Sequence, residues 1–225
     1  MPGRPRARHT ALILGVCGLL VAAGDAYALT AAQSVPRLVS FGGACVHCDL
    51  AGRKLAGAKF MGCNFAGASM VGADLRGAAF LGTNFTGADL SHADVRGASM
   101  TGARFMLANF SDAKLTGLEA TGADFMNADL TGAGFDAAKM VGSNLAHVKA
   151  ADASFKGANF TGATLADGAF ARADFKDAEL RHTSLAGADL AQARNLTQHQ
   201  VDGACSDAKT RLPPGLTART CGGRR

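Results

Sequence analysis

The chain has 225 residues, of which 29 are glycine, 13 phenylalanine, one tyrosine and none tryptophan, and 23 basic side chains stand against 18 acidic ones. Aromatic bulk of almost one kind in a glycine-rich chain departs from the globular average, and it argues for a repeat that places the rings by a rule. The net charge of +5 is a mild excess, so the chain as a whole is neither a dense polyanion nor a dense polycation.

Arg4, Arg6 and Arg8, an apolar run from Ala11 to Ala23, and the small-x-small triplet Ala26-Tyr27-Ala28 read as a secretory signal cleaved after Ala28. The run is shorter than the roughly 20 residues a bilayer requires and no second one follows, so no stable membrane insertion is expected. Cys17 does not make a lipoprotein signal, because Val16 precedes it where a small residue is needed. The expected organisation is a signal over 1–28, an N-terminal leader and cap over 29–47, a repeat body over 48–192, and a C-terminal cap with a short helix and a basic tail over 193–225. The expected location is secreted or periplasmic.

Cys45-Val46-His47-Cys48 precedes the repeat body. A thioredoxin-like motif needs a βαβ context that is missing, and haem attachment needs histidine where Asp49 stands. Three readings stay open: a structural disulfide or cap, a metal site using His47, and a redox pair. An export route favours the first.

Twelve of the 13 phenylalanines fall at residue numbers divisible by five, from Phe60 to Phe175, and Leu, Met, Val or Ala fill the other such positions between Leu50 and Leu190. Five residues at 100° each return a side chain 140° from its start, so no helix presents this column on one face, whereas short extended pieces joined by bends can. The residue two before each of these 29 centres is Ala in 20 units, and a spacing of two puts both on the inner side of an extended chain. The residue two after is Gly in 17 units, where the bend falls. Cys63 occupies an inward Ala position, which predicts a buried small side chain. Ala120 and Ala150 are small centres, but Leu118 and Val148 stand where Ala is usual, so each pair exchanges large for small at nearly constant volume and the repeat should run through both.

Stretches such as Ala73-Asp74-Leu75-Arg76-Gly77, Ala88-Asp89-Leu90-Ser91-His92 and Ala158-Asn159-Phe160-Thr161-Gly162 resemble the A-(D/N)-(L/F)-x-x signature of pentapeptide-repeat proteins, over 29 consecutive units. The resemblance implies an all-β solenoid, a right-handed quadrilateral β-helix with four pentapeptides per coil. The column Phe65, Phe85, Phe105, Phe125 independently points to a four-unit turn. About seven coils follow, and strands stacked ~4.8 Å apart make a rod on the order of 34 Å long.

At the far end, Thr197-x-x-Gln200 has capping-box form and predicts a short helix through about Ala204, which Leu212-Pro213-Pro214-Gly215 forbids from continuing. This segment resembles the C-terminal tails of exported pentapeptide proteins from proteobacteria. Cys205 and Cys221 are read as a disulfide, which an oxidising compartment permits and which closes a loop of useful length.

No catalytic, cofactor-binding or metal residue is predicted. His92, His147 and His182 all sit at bend positions but on three different faces, so they read as solvated turn residues. Asp and Asn recur one before the centre because they suit the backbone there, and the glycines follow the repeat instead of forming a phosphate loop. The function expected is a non-catalytic interaction scaffold presenting β-helix faces to a protein partner or to itself. Its candidate surface is the column Met61, Leu81, Thr101, Thr121, Val141, Thr161, which carries no charge until Arg181. The alternative implied by the family is a duplex-DNA mimic acting on DNA gyrase, which needs dense negative charge; residues 50–190 hold 13 basic and 14 acidic side chains. Direct nucleic-acid binding through Arg76, Arg96, Lys156 and Lys176 is not expected either, because Asp74, Asp94 and Asp174 neutralise that face.

Overall fold

The computed structural model describes residues 39–222, so the expected signal over 1–28 lies outside the described residues. Each unit is one extended step and one bend. At Met70, the carbonyl accepts the N–H of Ala73 at 3.0 Å, and Gly72 between them has φ +63°. This is the type II turn, whose third residue must enter the left-handed region. The aspartate or asparagine before the centre closes the same turn from outside: Asn64 Oδ1 accepts the N–H of Ala66, and Asp129 Oδ1 that of Thr131.

Four such units close a square coil, and the coils stack as parallel ladders with a register of 20 residues. Ala44, Asn64, Asn84 and Arg104 begin the ladder of the first face, Asp49 and Ser69 that of the second, and Lys54 and Asp74 that of the third. The fourth face starts with three true strands, β1 (Val39–Phe41), β2 (Lys59–Met61) and β3 (Ala79–Leu81), paired Val39↔Lys59 and Lys59↔Ala79. The fold is a right-handed β-helix, as expected.

The interior takes two side chains per unit, the centre and the residue two before it, and both columns are buried from Ala58 to Leu190; in the first units Leu50 and Leu55 are partly buried and Arg53, at an inward position, is exposed. Phe65, Phe85, Phe105 and Phe125 stack ring on ring with centroids 5.3, 5.1 and 4.8 Å apart. Each stacked pair adds about 0.5–1.5 kcal/mol beyond the area it buries. Leu118, Ala120, Val148 and Ala150 are all buried, and the ladder Ser99↔Glu119↔Lys139 passes through without interruption.

Both ends extend the repeat beyond the expected boundaries. Toward the N-terminus, β1 is already in register and Cys45 is a buried centre, so the coil begins before residue 48. Cys45 and Cys48 are joined in a disulfide across this first bend. Toward the C-terminus, α1 (Gln198–Asp202) stands where the fourth face would place its next step. Thr197 caps it, the capping box with Gln200 is complete, and the helix ends two residues short of Ala204, where Gly203, still right-handed, donates to Gln200 and Ala204 donates to Val201 in i→i−3 bonds that tighten the last turn. The chain then rejoins the ladders with one and two extra residues, Ser184↔Cys205 and Asp189↔Arg211. A last layer forms where β4 (Cys205–Ser206) pairs with β5 (Arg219–Thr220), locked by the Cys205–Cys221 disulfide. The tail thus covers the open end with a helix and a strand, as an exposed solenoid edge requires.

Candidate functional site

With the interior filled by side chains, the accessible surface of the described residues is that of the four faces and the two ends. Among the described residues no group of three or more His, Cys, Asp or Glu could hold a metal ion. The histidines His92, His147 and His182 sit at corners with φ +58° on three different faces, and His92 Nδ1 lies 3.9 Å from Asp112 on the next coil. Cys63 is buried, with Sγ 3.2 Å from the carbonyl of Gly42. The aspartates one before a centre accept turn N–H groups, as Asp89 does from Ser91 and Asp124 from Met126, and several also bridge coils: Asn109 Nδ2 donates to Asp89 Oδ1 and Asn144 Nδ2 to Asp124 Oδ1.

The third face carries the charge. Arg76 and Arg96 each clasp the aspartate two residues earlier, at 2.7 and 2.6 Å, and Lys156 reaches Asp174 at 3.5 Å. The hydrogen bonds from Arg76 and Arg96 hold the carboxyls of Asp74 and Asp94 below the usual carboxylate value. Burial pushes Asp174 up, but hydrogen bonds from Asn195 and the Lys176 N–H, with the Lys156 charge, bring it below its ordinary value. Arg76 and Arg96 are thus paired within their own units, as the spacing implied, whereas Asp174 takes its ion pair from Lys156 on the coil below and receives only a backbone N–H from Lys176, two residues later.

The fourth face carries the uncharged column. Met61 and Leu81 are exposed, 38% and 48%, and are direct ladder neighbours; Thr101, Thr121, Val141 and Thr161 continue the column half-buried, and Arg181 ends it. The corner beside it, Gly62 through Gly162 at every coil, bears no side chain, which leaves this edge of the rod smooth. The corresponding columns of the first face (Val46 to Ala186) and second face (Ala51 to Ala191) are uncharged as well. Lack of charge therefore marks three faces out of four and does not single out the fourth.

Two features were not found by spacing alone. An open groove runs beside α1, lined by Lys176, Glu179, Arg181, His199 and Asp202, and Gln200 spans it to donate to the carbonyls of Phe175 and Ala178. On the first face, Leu107 occupies a left-handed corner with φ +60° and is 64% exposed. Its signal in the sequence is an aliphatic residue at a bend position otherwise held mainly by Gly, Asp, Asn and His.

The model of pentapeptide repeats matches in eight copies, over residues 45–80, 71–106, 108–145, 138–176 and 169–205. HetL, a pentapeptide repeat protein involved in heterocyst differentiation regulation from the cyanobacterium Nostoc sp. strain PCC 7120, is 25% identical. The match covers 78% of this chain and 86% of that one, with a TM-score of 0.60. QnrB1, a plasmid-mediated fluoroquinolone resistance protein, is 20% identical over 76% of this chain and 91% of its own, with a TM-score of 0.47. A pentapeptide repeat protein from the Arabidopsis thaliana thylakoid lumen is 28% identical over 51% of this chain and 72% of its own, with a TM-score of 0.36. No curated protein matches the chain. A five-residue step, four ladders at a 20-residue register and a family match along nearly the whole rod lead to one conclusion: the chain belongs to the pentapeptide repeat family.

Proposed function

We propose that this chain is an exported, non-catalytic scaffold whose flat faces receive a protein partner or a second copy of itself. The observation that carries this reading is the division of labour among side chains. Two columns per unit fill the core, a third caps the turns, and the residue after the centre stays outward and uncharged on three of the four faces. A regular sheet surface of that kind suits docking better than chemistry.

Export is supported by the charged, apolar and small-x-small succession before Leu29, and two disulfides fit an oxidising compartment. N-terminal sequencing of the protein from fractionated cells should begin at Leu29; intact Met1 in the cytosol would remove the export claim. For the surface, affinity capture of the tagged protein from the envelope should enrich a partner. Thr121→Glu with Val141→Glu should abolish that capture, with circular dichroism unchanged, if the fourth face is the contact. Recovery of gyrase from a cytosolic pool would replace the scaffold by the DNA-mimic reading, against which the balanced charge of the rod argues.

A further inference from the structure

We infer that the first face is a self-association surface on which a second copy of this chain packs antiparallel, about a two-fold axis between the coils of Phe105 and Phe125. The inference rests on the scaffold reading and commits it to one occupant and one face.

Leu107 is the starting point. It is the one branched aliphatic side chain among the left-handed corners of the described residues, and it is more exposed than Val46, Met61 or Leu81. A β-carbon in the left-handed region costs free energy that glycine avoids, and an exposed leucine gains nothing from folding. Strain held at a position the fold does not need is a reason to look for a contact. Leu107 is not isolated. Met106 beside it and Met126 on the next coil are half-buried, Gly87 below leaves the corner open, and the outward column from Val46 to Ala186 has no charge in eight coils. Methionines adapt their shape to an apolar partner.

Charge selects the occupant. In the ladder column of the first face, from Ala44 to Ser184, only Arg104 and Asp124 are charged, and they are neighbours of opposite sign. Arg104 is exposed and has no ion pair or side-chain hydrogen bond among the described residues, unlike Arg76, Arg96, Arg172 and Arg211. A two-fold axis lying in the plane of the face, across the rod and midway between these coils, reverses the order of coils while keeping each column over itself. Arg104 then faces Asp124 of the second copy, and Asp124 faces its Arg104. The same operation lays Met106 and Leu107 over Met126 and Asn127 of the other rod. A single self-complementary patch of this kind is what an isologous dimer requires. One face of a slender rod is small beside the roughly 800 Å² per partner of a standard interface, so the dimer is a weak, micromolar one.

Sedimentation velocity on the purified full chain, from about 1 to 200 μM, tests it. The wild-type protein should shift from monomer to dimer across that range. Leu107→Gly, which suits the corner and leaves the core untouched, should weaken the dimer at least tenfold without changing the circular dichroism. Arg104→Glu and Asp124→Lys should each be monomeric alone, since each makes facing charges alike; both replacements occur naturally at equivalent positions, Glu119 and Lys114. Mixed one to one, they should form a heterodimer, an outcome that no repair within one chain can produce. A wild-type protein monomeric at every concentration overturns the inference, as does a dimer indifferent to Leu107→Gly and Arg104→Glu. Envelope capture lost in Leu107→Gly while the pure protein stays monomeric would seat a different protein on this face and end the self-association, leaving the scaffold reading intact.

Discussion

Arg76 folds back on Asp74, two residues earlier, with Nε 2.8 Å from Oδ1 and Nη2 2.7 Å from Oδ2 of the same carboxylate. One coil on, Arg96 does the same to Asp94. The spacing of two puts both side chains on one side of the extended step, so a two-pronged pair forms within a single unit.

A pH dependence with a definite sign results. Both carboxyls lie below the ordinary value of 3.8 in the folded chain, so they contribute stability that is complete above that value and lost as pH falls through the lowered one. Urea midpoints should be level from about pH 7 to 5 and fall below about pH 4. In Asp74→Asn with Asp94→Asn, which keeps the turn-capping oxygen, the acid-side loss should be shallower. An unchanged slope would mean the pairs contribute nothing, as exposed pairs often do.

Leu118 and Ala120, two residues apart on the inner side of one extended step, are both wholly buried. Leu118→Ala should cost roughly 2–5 kcal/mol, and adding Ala120→Leu should restore most of it, because the volume returns to the same coil. Thermal melts of the two variants decide it. Strict additivity would mean the two side chains do not fill one space.

Corner glycines isolate a backbone effect. A β-carbon added at Gly122 would meet nothing within 4 Å, yet φ is +64°. Gly122→Ala should therefore destabilise by about 1–2 kcal/mol through conformation alone. Ala137, at φ +55°, is the mirror case, and Ala137→Gly should be neutral to stabilising by up to about 1 kcal/mol. Chemical denaturation measures both, and a Gly122→Ala protein as stable as wild type would contradict the turn assignment.

The tail disulfide closes a separation of 16 residues over the last layer. Cys205→Ser and Cys221→Ser should each cost about 3 kcal/mol, and the double variant no more than either, since all three lack the same bond. Thiol labelling with intact-mass measurement should find both cysteines blocked in the wild-type protein.

The inward columns, the bend and the passage of the repeat through Ala120 and Ala150 could be read from the chain because they depend on a period of five, which is a local property. A side chain two residues from a centre points to the same side whatever lies on the next coil. The helix at the tail was equally legible, because Thr197 and Gln200 satisfy each other's backbone without outside help.

What lay beyond the sequence was decided between coils. Asp152 and Arg172 are 20 residues apart and meet only because four bends bring the chain back above itself, with Nε and Nη2 of Arg172 at 2.8 and 2.5 Å from the carboxylate. The start of the solenoid at β1 depends on hydrogen bonds to the coil above, and nothing in the composition of Val39–Phe41 announces them. The offset return of Cys205 and Arg211 to their ladders depends on the length α1 takes up. The exposure of Leu107 beside Met106 and Met126, and the placing of Arg104 next to Asp124, belong to this class too. The period of the repeat by itself determined which side chains point inward, and the stacking of coils decided which outward ones share a surface, because neighbours across a coil are set by closure of the square and not by distance along the chain.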